Sequence, residues 1–130
     1  MIVLDASAAV DWLLQTSAGQ SIEKRIYLRN ETLHAPHLLD LEVTQVLRRL
    51  ASQRVVPILR ADEAVRDLLD LRITRYPHVV LLPRIWQLRH NLSAYDAAYI
   101  VLAEKLGAAL VTRDRRLASA SGHAAAIELF

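Results

Sequence analysis

Cysteine is absent from this 130-residue sequence, which excludes a disulfide framework and thiolate metal sites. Lysine is almost absent too. Lys24 and Lys105 are the only ones, so the cationic side chains are mostly arginine, whose guanidinium fork suits phosphate better than an ammonium does. Long hydrophobic runs are missing: stretches such as YIVLA and VVLLP are far too short to cross a bilayer. The opening residues lack the basic stretch and small-residue cleavage site of a secretory signal, so the expected setting is cytoplasmic. No linker, repeat or low-complexity segment interrupts the chain, and one domain spanning residues 1–130 is expected. Neither sign of charge dominates. The formal net charge of +2 is too small to point to a polyanionic partner by itself. Hydrophobic residues make up 53% of the chain, which leaves apolar surface over after one small core and predicts a homodimer or partner interface.

What is present alternates between strand-like and helix-like segments. Ile2 to Leu4 is a short apolar run bounded by Asp5, as a buried parallel strand should be. A helix follows from about Ser7 to Leu14, and Ile22, Ile26 and Leu28 mark a second one ending near Asn30. Leu33 to Ala35 reads as the second strand. Pro36 is expected to open a third helix, with Leu39, Val43, Val46, Leu47 and Leu50 on its apolar face. Asp62 and Glu63 are expected to open a fourth, with Val65, Leu68, Leu69 and Ile73 inside. Between Thr74 and Leu82 the pattern fits either a strand near Val79 to Leu81 or an extended loop. Arg84 to His90 reads as a short helix, Ser93 caps the next and Gly107 ends it. Ala109 to Val111 returns to the sheet, and Ile127 to Leu129 supplies a last edge strand. Such alternation predicts an α/β fold with a mainly parallel sheet.

Within that frame, the positions of four acids stand out. Asp5 ends the first strand, Glu42 borders the apolar face of the third helix, Asp96 opens a later helix and Asp114 follows the next strand. The carboxyl ends of parallel strands form a common rim, so Asp5 and Asp114 fall along one edge, and helices starting above that edge can add Asp96 and Glu42. Four carboxylates in one crevice repel one another unless a divalent cation joins them. An all-oxygen ligand set favours Mg²⁺ or Mn²⁺ and phosphate chemistry. Each acid also has a structural reading. Asp5 and Asp114 precede helices and fit as N-caps, and Ser93 with Asp96 has the S-x-x-D spacing of a capping box. Glu42 is the hardest to explain that way, because a charge beside an apolar stripe either snorkels outward or is held by a partner.

Other signals are weaker. Arg113, Arg115 and Arg116 flank Asp114, where they either hold substrate phosphates or cover a solvated helix start. Trp86, Tyr95 and Tyr99 either stack on unpaired bases or fill core and interface. His34 and His37 have no cysteine or third histidine near them and do not make a zinc site.

The segments IVLDAS, PHLLDLEV, SAYDAAYIVLA and LVTRDRRL together resemble the PIN-domain ribonucleases, in particular the small VapC-type toxins of VapBC toxin–antitoxin pairs. The resemblance covers essentially the whole chain, with the motifs in family order. It implies a single PIN-like α/β domain over 1–130, with a short, mainly parallel five-stranded sheet flanked by helices. It implies that Asp5, Glu42, Asp96 and Asp114 form the catalytic quartet and hold Mg²⁺, or Mn²⁺, with Ser7 and Thr112 supporting them by hydrogen bonds. Asp5, Asp96 and Asp114 are expected as direct ligands, while Glu42 either binds a second ion or holds a ligand water. The implied reaction is endoribonuclease cleavage by a metal-activated water attacking phosphorus in line, leaving a 5′ phosphate and a 3′ hydroxyl. The implied partners are an RNA substrate and a VapB-type antitoxin, and a homodimer is expected. Residues 74–84 carry no usable motif.

Other classes fit less well. A haloacid-dehalogenase-type phosphatase wants an acid where Ser7 stands, and a response-regulator receiver wants a lysine beyond Lys105. A PIN-domain RNA-processing nuclease without an antitoxin, and a non-catalytic metal-binding regulator, remain as alternatives to the toxin.

Overall fold

The apolar run Ile2–Leu4 forms β1, and all three of its residues are buried, as befits a strand covered on both faces. The computed structural model describes residues 1–130 and places β1 at the centre of a five-stranded sheet. β2 (Leu33–Pro36) and β3 (Ile73–Tyr76) lie on one side of it, β4 (Ala109–Thr112) and β5 (Ile127–Leu129) on the other. The order is β3-β2-β1-β4-β5 and every pairing is parallel. Val3 is in register with His34 on one flank and with Leu110 on the other. The chain thus builds outward from β1 in one direction and later returns to build outward in the other. Connections leaving β1 and β4 diverge, and a crevice opens at the carboxyl ends of those two strands.

Seven helices and one 3-10 turn complete the fold: α1 (Ala6–Leu13), α2 (Ser17–Leu28), α3 (Leu38–Ser52), α4 (Ile58–Asp70), the turn Val79–Leu81, α5 (Leu82–Gln87), α6 (Ala94–Leu106) and α7 (Arg115–Ala118). α6 is the central helix. Ala97 through Ala103 are all buried, because the helix packs on β1, β2 and β4 and is covered in turn by α5. Ser93 caps its start and Gly107, at φ 59°, ends it in the left-handed region that glycine tolerates. Gly19 has a different job: a Cβ there would stand 1.9 Å from the main-chain oxygen of Asp11, so only glycine lets α2 meet the end of α1 so closely.

Several expected boundaries are corrected. Pro36 does not open α3 but ends β2. Beyond His34, β1 is no longer paired with β2, so a residue without an N–H costs no ladder bond on that side, and Pro36 lies opposite Tyr76 of β3. α4 begins at Ile58, just after Pro57, which places Asp62 and Glu63 beyond the first turn and out of reach of the helix N-terminus. Its buried positions are Ala61, Ala64 and Leu68, whereas Leu69 is exposed and Ile73 belongs to β3. Val79–Leu81 is a 3-10 turn, and the strand lies earlier, at Ile73–Tyr76. Leu28 ends α2 as an exposed residue.

Candidate metal centre

Asp5 follows β1 with extended backbone and caps α1, accepting the Ala8 N–H at 2.9 Å on Oδ1. The Ser7 hydroxyl donates to the same oxygen at 2.7 Å, and the Thr112 hydroxyl donates to Oδ2. Ser7 Oγ in turn accepts the Arg113 N–H at 2.9 Å, and Thr112 Oγ1 accepts the Asp114 N–H at 2.9 Å. The ends of β1 and β4 are therefore tied through one carboxylate, which is only 4% exposed. Burial pushes the Asp5 carboxyl above the ordinary range; bonds from Thr112, Ala8 and Ser7 work against that, and the charge of Asp114 adds to it.

Asp114 caps the short helix α7, taking the N–H groups of Arg116 and Leu117 on Oδ1 at 2.9 and 3.2 Å. Asp96 stands in the first turn of α6, where its own N–H donates to Ser93 Oγ at 3.1 Å. Ser93 and Asp96 thus make half of a capping box. The Asp96 carboxylate does not return to the Ser93 N–H and lines the crevice instead. The Arg116 guanidinium lies between the two carboxylates, 3.6 Å from Asp96 Oδ2 and 3.7 Å from Asp114 Oδ2.

Glu42 comes from the second turn of α3. Its Oε1 accepts the Tyr99 hydroxyl of α6 at 2.7 Å, while Oε2 takes no hydrogen bond from the protein. This is the partner that a half-buried charge beside an apolar stripe needed. Tyr99 is itself only 2% exposed. Its phenol is held far above the ordinary range, first by burial, then by the bond to Glu42, with the charges of Asp5 and Asp96 adding to both. Gln45 and Arg49 follow Glu42 at three and seven residues' spacing and line the same crevice. Sequence reasoning passed over both, although that spacing is the periodicity of one helix face.

Asp5, Glu42, Asp96 and Asp114 all border one open crevice of about 510 Å³. Four separate elements deliver them: the turns after β1 and β4, and the helices α3 and α6. They line the space without converging, and no three of them stand close enough to cage an ion as they are placed. A hard divalent cation nevertheless fits this donor set. Every donor is a carboxylate oxygen, Asp5 feels the like charge of Asp114, and a cationic side chain, Arg116, already stands between two of the acids. Capping and cation binding are compatible, since a carboxylate oxygen that accepts one or two N–H groups keeps lone-pair capacity.

The basic residues separate. Arg113 turns away from the crevice: its Nε donates to Asp11 at 2.7 Å and its Nη1 to the main-chain oxygen of Phe130, so it clamps the region after β5 onto α1. Arg115 and Arg116 are exposed at the start of α7, and Arg49 projects from α3. Among the aromatics, Tyr99 belongs to the core, Tyr95 lines the crevice, and Trp86 is exposed with the Arg89 guanidinium 4.6 Å from its ring centre. His34 is buried in β2 between Thr32 Oγ1 and the Tyr76 hydroxyl, whereas His37 is exposed with its ring 6.0 Å from that of His78. Both ring nitrogens of His34 are thus taken by hydroxyl partners.

The family model for the PIN domain matches residues 2–122. The chain is similar to VapC ribonuclease Mb0985 of Mycobacterium bovis, with 46% identity over 90% of this chain and 88% of that protein. It is similar over nearly its full length to ribonuclease VapC12 of Mycobacterium tuberculosis, with 43% identity over 99% of this chain and 98% of that one. Among solved structures, the crystal structure of PAE2754 from Pyrobaculum aerophilum superposes with a TM-score of 0.69 and 29% identity, covering 97% of this chain and 81% of that one.

Proposed function

This chain belongs to the PIN-domain family and is an endoribonuclease of the VapC toxin type, and from that premise we propose that its acidic crevice is the catalytic centre and holds Mg²⁺ or Mn²⁺. The observation that carries this reading is the arrival of Asp5, Glu42, Asp96 and Asp114 from four separate elements at one crevice on the switch edge of the sheet. Asp5, Asp96 and Asp114 would hold the cation. When bound, it supplies charge neutralisation at the non-bridging phosphate oxygens and makes water beside it more acidic.

The chain's own residues do the rest. Ser7 and Thr112 lock the rotamer of Asp5, so this carboxylate needs no reorganisation when substrate arrives. Glu42 offers one oxygen, Oε2, to a water in the crevice, because Tyr99 occupies the other. Arg116, between Asp96 and Asp114, and Arg49, on the crevice wall, would hold phosphates on either side of the scissile bond, with Arg115, exposed at the start of α7, as a further phosphate contact. Arg113 is spent on its clamp. Attack of water on phosphorus breaks the bond to the 3′ oxygen and leaves a 5′ phosphate and a 3′ hydroxyl.

We place the protein in the cytoplasm as a homodimer, with a VapB-type antitoxin as its controlling partner and residues 1–130 as one PIN domain. No helix is long and apolar enough to cross a membrane. The test is cleavage of RNA by purified protein with Mg²⁺ or Mn²⁺, abolished by EDTA. Cleavage that persists in chelator overturns the metal assignment.

A further inference from the structure

Beside the acidic crevice lies a smaller slot of about 140 Å³, between the start of α3, the loop at His78, α5 and the first turns of α6. Leu38 and Tyr95 line both spaces, so the slot adjoins the crevice. Its other walls include Leu82, Ile85 and Ala98, and it contains no charged side chain. The single strongly polar group is His78, whose Nε2 accepts the Leu38 N–H at 2.9 Å. In the neutral ring this bond leaves the proton on Nδ1 and fixes the imidazole against the first turn of α3. Tyr95 stands at the mouth, 63% exposed, one residue before Asp96.

We propose that this slot receives one unpaired nucleobase of the RNA, a neighbour of the scissile phosphate, stacked on Tyr95 while its backbone lies along the acids. The inference rests on the ribonuclease reading of the crevice and adds a specificity subsite to it. Three features select the occupant. A chamber without charge takes a neutral group, and the base is the neutral planar part of a strand otherwise lined with phosphates. The volume is well below the ~300 Å³ at which sites for larger ligands begin, and so suits one ring system rather than a nucleotide. Single-stranded RNA is recognised by splaying a base out of the strand onto an aromatic side chain, with polar groups reading its edge. Here Tyr95 supplies the platform and His78 the polar group. Because Tyr95 adjoins Asp96, the base that enters is close in sequence to the bond being cut.

The test is cleavage of a random-sequence single-stranded RNA pool in Mn²⁺, with sequencing of the new 5′-phosphate ends. The wild type is expected to show a base preference at one position beside the cut. Tyr95→Ala, and Ala98→Leu which fills the slot, are each expected to weaken that preference by about tenfold, the scale of one lost base–aromatic stack, and to leave other positions unchanged. Leu59→Ala, on the exposed side of α4, is expected to keep the wild-type profile. An RNA carrying an abasic nucleotide at the preferred position should be cut more slowly by the wild type but no more slowly by Tyr95→Ala. Should Ala98→Leu fail to fold, Tyr95→Ala at the exposed mouth decides. An unchanged profile in Tyr95→Ala overturns the subsite, and if oligomeric state or antitoxin affinity changes instead, the slot is a protein contact. Absence of any RNA cleavage by the wild type would remove the ribonuclease reading itself, a result distinct from cleavage without positional preference.

Discussion

The Tyr99 hydroxyl donates to Glu42 Oε1 at 2.7 Å, joining the central helix α6 to α3 at the wall of the acidic crevice. We propose that Tyr99 is a positioning residue, aiming the Glu42 carboxylate through this bond. Tyr99→Phe keeps the ring packing and removes only the donor. The expected result is a fall in kcat of about tenfold, the scale of one hydrogen bond to a charged group, with KM for RNA nearly unchanged. In a Glu42→Gln background the same change should cost much less. Equal effects in both backgrounds would show that the bond serves packing alone.

Asp5→Asn, Asp96→Asn and Asp114→Asn are each expected to lower the rate of RNA cleavage by at least about a hundredfold, as loss of an electrostatic catalytic group does. The control is Asp70→Asn, an exposed acid at the end of α4. Asp40 is a different kind of control, because its carboxylate pairs with Arg75 at 2.7 and 2.9 Å and ties α3 to β3. Asp40→Asn should cost stability of about 1 kcal/mol or less and leave kcat near wild type. Comparable losses of kcat in Asp70→Asn would dissolve the site assignment.

Two buried groups set opposite pH dependences in the metal-free protein. The folded-state pKa of Asp5 is raised, so its contribution is fully present below the unfolded value near 3.8 and is lost as pH rises through the folded value. His34 is lowered from 6.5, chiefly by burial and further by the charge of the N-terminus, so its contribution is present above 6.5 and is lost as pH falls through the folded value. Urea midpoints at pH 7.5 and 5.5 check the second: the wild type should lose stability at pH 5.5 and His34→Gln should lose less. Asn at position 5 can still cap α1, so Asp5→Asn should show a weaker loss of stability between pH 4 and 7 than the wild type without metal. Parallel pH curves for variant and wild type would rule out that residue as the source.

Much of this was legible in the sequence. The four acids stand out because three end or begin elements, and the fourth, Glu42, borders an apolar stripe with no partner near it in sequence; the fold supplies that partner in Tyr99. The central strands β1 and β4 are buried on both faces and read as short apolar runs. β3 did not, because Ile73–Tyr76 carries Thr74 and Arg75 at a half-exposed sheet edge and lacks a continuous apolar signal. The start of α4 was misread because acids commonly mark first turns, while here Pro57 does that work. Tyr99 resembled any core aromatic, since its partner lies 57 residues away in sequence. Arg113 looked like a substrate contact from its place beside Asp114, yet it lies just beyond the end of β4 and its guanidinium is held by Asp11 and the main-chain oxygen of Phe130.

Cation binding tests the site most directly, independently of which RNA is cut. Titration of the purified, metal-free protein with Mn²⁺, followed by electron paramagnetic resonance of the free ion, should show saturable binding in the wild type. Asp5→Asn, Asp96→Asn and Asp114→Asn should each weaken that binding by at least about tenfold, one lost charged ligand being worth 1.4 kcal/mol or more, while Asp70→Asn leaves it unchanged. Equal Mn²⁺ affinity in all five proteins would mean that these carboxylates are separate helix caps around an empty crevice, and that the catalytic cation, if there is one, binds elsewhere.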